Sequence, residues 1–160
     1  MPLQLRNRRK GDVRTQFAAL PFRIKSGKVQ VLMVKTRTSK RWIVPKGWPM
    51  NGKRPAHCAR IEAWEEAGVR GTEVDLCLGL FSYAKTVTSD QRLTPCVALV
   101  YPVWVRELEE RYPEAGQRKR KWFTPAKAAK KVKEPELARI LRDFDPVALG
   151  ITGEKSRRSA

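Results

Sequence analysis

Long hydrophobic runs, cysteines and acidic residues are all scarce in this sequence of 160 residues. No apolar run approaches the roughly 20 residues needed to cross a bilayer, and the first residues show no apolar stretch of signal-peptide length. We therefore expect neither a membrane span nor a secretory signal. The Arg-rich, acid-poor start leaves a transit peptide as an alternative, although the basic bias continues far beyond it. The three cysteines, Cys58, Cys77 and Cys96, are odd in number and widely spaced. This pattern predicts buried, reduced thiols in a cytoplasmic protein, and it argues against a disulfide framework or a zinc site.

The shortage of acidic residues leaves a strong positive charge. Asp and Glu number 16 against 34 Lys and Arg, so the formal net charge is +18. No acidic residue occurs between Asp12 and Glu62, nor between Arg118 and Lys133. Such a field attracts nucleic acid, anionic lipid or densely phosphorylated small molecules. A solvated basic surface without a dedicated ligand is the alternative that charge alone leaves open.

The order of the predicted elements indicates an α+β fold, a mixed β-sheet with helices packed on it. Alternating and continuous apolar segments predict strands over 17–24, 29–34, 42–44, 74–83, 96–105 and 122–123. Proline at the first turn predicts helices over 55–67, 125–132 and 135–143. We expect one folded domain at 14–146, between a basic arm at 1–13 and a basic tail at 147–160.

The first predicted helix carries three glutamates on one face. Glu62, Glu65 and Glu66 are spaced i, i+3 and i+4. Three carboxylates this close repel each other unless a cation lies between them, and hard oxygen ligands select Mg²⁺ or Mn²⁺. Because basic segments that suit a polyphosphate surround them, the set suggests metal-assisted cleavage of a phosphoanhydride. The exposed face of an ordinary amphipathic helix is the alternative.

The segment 47–69 resembles a Nudix box. That pattern is Gly, five residues, Glu, seven residues, then Arg-Glu-aliphatic-x-Glu-Glu-x-Gly-aliphatic. The positions in register are Gly47, Glu62, Glu65, Glu66, Gly68 and Val69. Two positions depart from it, because Lys53 stands in place of the loop Glu and Ile61 in place of the Arg. The resemblance implies a Nudix fold, an α-β-α sandwich in which a mixed β-sheet is packed between helices, and a metal-dependent hydrolase. The two departures keep a non-catalytic domain as an alternative.

Residues on both sides of the box are similar to the diphosphoinositol polyphosphate phosphohydrolase branch of the family. These are the segments 41–45 and Arg118–Phe123. The resemblance implies that Glu62, Glu65 and Glu66 bind Mg²⁺, or Mn²⁺, and act in catalysis, with the identity of the base left open. It also implies substrate-binding roles for Arg14, Arg37, Arg41, Lys46, Gly47 and Arg118.

Together these features predict a cytoplasmic, Mg²⁺-dependent pyrophosphohydrolase. The expected substrates are diphosphoinositol polyphosphates or diadenosine polyphosphates, because the resembling branch and the basic charge both suit such anions. Hydrolysis of nucleoside triphosphates or ADP-ribose is one alternative. A non-catalytic Nudix domain that binds RNA or another polyanion is a second, although the sequence shows no RNA-stacking motif. Oligomeric state and the number of metal ions do not follow from the sequence.

Overall fold

The computed structural model describes residues 13–36, 38, 40–87 and 92–151. The strands are β1 (Arg14–Lys25), β2 (Lys28–Thr36), β3 (Trp42–Ile43), β4 (Lys46–Gly47), β5 (Val69–Glu73), β6 (Gly79–Val87), β7 (Arg92–Leu108) and β8 (Arg118–Phe123). The helices are α1 (Pro55–Ala67), α2 (Pro125–Lys131) and α3 (Pro135–Arg142). No helix within these ranges is long and apolar enough to cross a bilayer.

The strands form one mixed sheet with β1 near its centre. The order is β3-β2-β1-β7-β5, while β4 pairs with β1, β6 with β7, and β8 with β2. Only the β1–β7 pair among these is parallel, and it brings Phe17 beside Leu99. Consecutive residues of β1, such as Ala18, Ala19 and Leu20, are fully buried, so both faces of this strand are covered. The predicted α+β sandwich is confirmed.

Helix α1 has the predicted bounds. Pro55 occupies its first turn, and Gly68 ends it in the left-handed conformation with φ of 68°. The guanidinium of Arg120, on β8, donates to the carbonyl oxygens of Ala67 and Glu109 at 2.7 and 2.8 Å. The Arg120 side chain therefore satisfies a carbonyl at the C-terminal end of α1 and links that end to β8.

Two strands were not predicted from the sequence, and a third begins several residues later in the chain than predicted. No strand was predicted at the positions of β4 and β5, and the strand expected over 74–83 begins only at Gly79. Cys58 and Cys96 are buried as expected, but the prediction that Cys77 is buried was wrong, because its side chain is exposed. Cys77 lies in the irregular segment between β5 and β6, so no strand carries it into the core.

The two basic extensions are mostly outside the described residues. This holds for residues 1–12 and 152–160. Within the expected tail, Ile151 is buried and belongs to the hydrophobic core. The chain thus keeps contact with the folded domain as far as residue 151, and the domain boundaries themselves stay a prediction.

Candidate active site

Two of the three box glutamates form a close pair on α1. The carboxyl groups of Glu62 and Glu66 hydrogen-bond each other, and Glu66 is only 7% exposed. Burial raises the pKa of Glu62 to about 8, and the hydrogen bond and charge of Glu66 add to the shift. Burial also raises the pKa of Glu66, against the opposing charges of Arg118 and Lys46. Without a cation, the pair therefore holds a proton near neutral pH.

A glycine on β4 makes room for this pair. Gly47 pairs with Phe17 of β1, and this pairing places its α-carbon against Glu62. A Cβ at Gly47 would lie 2.1 Å from Glu62 Oε1, closer than any side chain permits. The neighbouring backbone N–H of Lys46 donates to Glu66 Oε2 at 3.1 Å. Strand β4 thus positions both carboxylates through its backbone.

Two cationic side chains face the pair. The Nε atom of Arg118 lies 3.6 Å from Glu66 Oε1, and its guanidinium also pairs with Glu114. The Lys46 ammonium lies over the ring of Tyr83, 4.9 Å from its centroid. Burial lowers the pKa of Lys46, and the charge of Glu66 partly opposes this shift. Opposite charges therefore meet at the end of β4, an arrangement suited to a phosphate group beside a cation.

A fourth carboxylate joins the site from the turn before α3. Glu134 is 7% exposed, and its Oε2 lies 3.5 Å from Nη1 of Arg41. Its Oε1 is buried without a hydrogen-bond partner among the described residues. The charge of Glu134 also acts on Lys46 and raises its pKa. The sequence does not single out Glu134, because a single Glu before a proline-initiated helix carries no signal of burial.

The remaining predicted residues lie further from the pair. Glu65 is half-buried, and its charge helps raise the pKa of Glu62. The backbone carbonyl of Glu65 accepts a hydrogen bond from the backbone N–H of Glu114 at 3.0 Å. Arg14 begins β1 opposite Cys96, and no contact within the described ranges joins it to the pair. Arg37 lies outside the described residues.

The pair fits a divalent metal by its chemistry. In the described part of the chain, no three His, Cys, Asp or Glu side chains stand together as a ready-made metal cluster. Glu62 and Glu66 nevertheless supply hard oxygen donors that share a proton, and such a pair can exchange that proton for Mg²⁺. Gly47 leaves the space beside Glu62 that a side chain would fill.

The two departures from the box fall where other contacts hold the loop. Lys53 is exposed, and its carbonyl lies 3.8 Å from the Cys58 thiol. Ile61 is half-buried and lines a shallow cleft with Trp64 and Arg70. The backbone bond from Lys46 to Glu66 and the close approach at Gly47 fix the loop against α1 without the missing charges.

Comparison with known proteins shows which family the chain is similar to. The NUDIX domain family model matches residues 14–144. The chain is 32% identical to "Nudix hydrolase 16, mitochondrial" of Arabidopsis thaliana, over 82% of this chain and 79% of that protein. It is 30% identical to "Diphosphoinositol polyphosphate phosphohydrolase 2" of Rattus norvegicus, over 81% and 68%.

A solved structure shows the same fold. A crystal structure of a C. elegans Ap4A hydrolase binary complex superposes with a TM-score of 0.61 at 18% identity, and the match covers 86% of this chain and 98% of that one. The shared fold, the family model and the curated relatives all agree on one assignment. This chain belongs to the Nudix hydrolase family.

Proposed function

We propose that this chain is a Mg²⁺-dependent pyrophosphohydrolase that cleaves a phosphoanhydride bond in a highly phosphorylated small molecule. The observation that carries the proposal is the buried Glu62–Glu66 pair beside Gly47, with Arg118 and Lys46 facing it. Carboxylates that share a proton, next to cations that can take phosphate oxygens, suit a reaction in which a metal and a phosphate meet.

Each group has a part that follows from its position. Bound Mg²⁺ would polarise the phosphate and make a water molecule more acidic. Glu62 and Glu66 would hold the cation, and Glu65 adds negative charge on the same helix face. The Arg118 guanidinium, 3.6 Å from Glu66, would be available to a substrate phosphate when a cation balances the charge of Glu66. Arg41 and Lys46, near Glu134, add further positive charge for a substrate phosphate.

We favour diphosphoinositol polyphosphates as the substrate class, with diadenosine polyphosphates second. A relative and a structural neighbour carry these two substrates in their names, and the net charge of +18 suits both. Trp48, in the loop after β4, offers an aromatic surface for a nucleobase, but the Lys85 ammonium lies 5.1 Å from its ring centroid. A cation over that ring favours a ligand that presents phosphates rather than a base.

The direct test is phosphate release from both substrate classes in parallel, with Mg²⁺, with Mn²⁺ and with chelator. We expect turnover with metal, none with chelator, and a preference for the diphosphoinositol substrate. A preference for the diadenosine substrate would reverse our order of substrates. If neither is turned over with either metal, the substrate proposal fails, and ADP-ribose and nucleoside triphosphates become the next candidates. The cytoplasmic location expected from the sequence stays a prediction.

A further inference from the structure

A second basic feature lies between β8 and α2, away from the box. It is a groove of about 550 Å³ lined by Gln30, Trp122, Phe123, Thr124 and four lysines, Lys121, Lys127, Lys130 and Lys131. All four lysines are exposed, and no acidic residue lines the groove. Three of them are spaced i, i+3 and i+4 on α2, so they share one face of that helix.

The positive charge of this groove is uncompensated, unlike that of the candidate active site. Arg41 pairs with Glu134, and Arg118 pairs with Glu66 and Glu114. For the four groove lysines, no carboxylate partner occurs anywhere in the described ranges. Unpaired ammonium groups that converge on one groove form a site of attraction for a polyanion.

The groove is lined by none of the residues that form or face the Glu62–Glu66 pair. Strand β8 runs antiparallel to β2, so Phe123 lies beside Val31 while Arg118 lies beside Thr36. Gln30 lines the groove at one end of β2, and Thr36 is near the other end. At about 3.3 Å per residue, Gln30 and Thr36 are about 20 Å apart, whereas Lys121 and Lys131 are only three residues from Arg118 and Glu134, respectively. The groove thus borders the candidate active site, and a ligand in it is held by side chains other than those of the Glu62–Glu66 pair.

We propose that this groove binds the sugar-phosphate backbone of a single-stranded nucleic acid, without reading its bases. Four exposed ammonium groups on a strand and a helix match a linear chain of phosphates better than one compact phosphate. The groove offers little to a base, because the Arg23 guanidinium covers the Trp122 ring at 4.0 Å and Phe123 is buried. Helix α2 has only seven residues, so its lysine face suits the footprint of one phosphate backbone.

A membrane surface fits the groove less well than a nucleic acid strand. Bilayer binding is strengthened by apolar side chains that enter the headgroup boundary. The exposed large hydrophobic residues of the described ranges, Trp48 and Leu76 among them, lie outside this groove. The groove lysines could attract lipid headgroups by their charge, but no exposed large hydrophobic side chain of the described ranges lines the groove to enter a bilayer.

The experiment measures anisotropy of a fluorescein-labelled 20-nucleotide oligo-uridine, with oligo-thymidine in a parallel arm, between 50 and 200 mM KCl. Four lysine–phosphate contacts on a single strand contribute a slope of about −2.8 in log K against log salt, which is about 50-fold in affinity over this range. The triple variant Lys127→Gln, Lys130→Gln, Lys131→Gln is expected to make the slope about 2 units shallower.

A matched control removes three exposed charges elsewhere, as Arg106→Gln, Arg111→Gln, Arg142→Gln. We expect it to keep nearly the full slope. Equal loss in both triple variants would overturn the proposal, because binding would then follow net charge. So would groove-dependent binding to phosphatidylserine vesicles without binding to either oligonucleotide.

The outcome is independent of the proposed hydrolase activity. Binding is expected to be unchanged by Glu66→Gln and by chelator, and hydrolysis is expected to be unchanged in the groove variant. Loss of oligonucleotide binding on removal of metal would place the ligand at the hydrolase centre instead, and would contradict a separate groove site.

Discussion

Substituting Gly47 by alanine tests whether the space beside Glu62 matters for catalysis. The added Cβ would lie 2.1 Å from Glu62 Oε1, and ordinary contact begins at 3.4 Å, so the carboxylate must move by about 1.3 Å. A displacement near 1 Å in a catalytic group costs about 100-fold in rate, and we expect a loss of that size in kcat/KM. The φ of Gly47 is not in the left-handed region, so alanine brings no backbone strain there.

The assay combines turnover of the preferred substrate with Mg²⁺ titration by calorimetry and a thermal melt. We expect weaker Mg²⁺ binding and slow turnover, with the melting temperature nearly unchanged because only the end of a side chain is displaced. Adding Glu62→Asp shortens the carboxylate side chain and is expected to restore part of the activity. Turnover and Mg²⁺ affinity at wild-type levels in Gly47→Ala would show that the space beside Glu62 is not needed for metal binding or catalysis.

Other contacts give three further predictions. Folding raises the pKa of Glu62 to about 8, so the folded, metal-free protein keeps a proton on Glu62 at pH values where the unfolded chain releases it. The resulting stabilisation is fully present below the ordinary carboxyl pKa and is lost as pH rises through about 8. Melting curves from pH 5 to 9 should show that decline, and Glu62→Gln should reduce it. Arg120→Ala removes the donor to the carbonyl of Ala67 and should cost about 1–3 kcal/mol in urea unfolding. Glu134→Gln weakens the hold on Arg41 and should raise KM roughly fivefold, with kcat little changed; a change in kcat alone would contradict that positioning role.

Local signals made α1 the most predictable element. Proline at its start and a glycine in the left-handed conformation after Ala67 are both sequence-local, so its bounds were predicted correctly. Strand β4 has two residues, and it is a strand only because β1 lies beside it. Strand β5 contains the sequence VRGTE, whose polar residues and glycine resemble a loop, and its pairing with β7 overrides that preference.

The sequence predicted which face of α1 carries the site, but it did not predict which residues contact the glutamates. The spacing of Glu62 and Glu66 predicted their proximity, whereas the burial of Glu66 depends on β4 and Arg118. Glu134 and Glu114 reach the site through contacts between residues distant along the chain, which helical spacing does not reveal. Arg118 was predicted as a substrate ligand, and that role stays a prediction although the structure places it on Glu66.

The Glu62–Glu66 pair is proposed as the metal-dependent hydrolytic centre. The measurement that decides this role is the Mg²⁺ dependence of phosphate release in Glu66→Gln, with Glu107→Gln as a control on an exposed part of β7. We predict that Glu66→Gln lowers kcat/KM by about 100-fold or more and weakens Mg²⁺ activation, and that Glu107→Gln matches the wild type. Equal activity and equal Mg²⁺ activation in the two variants would contradict the account.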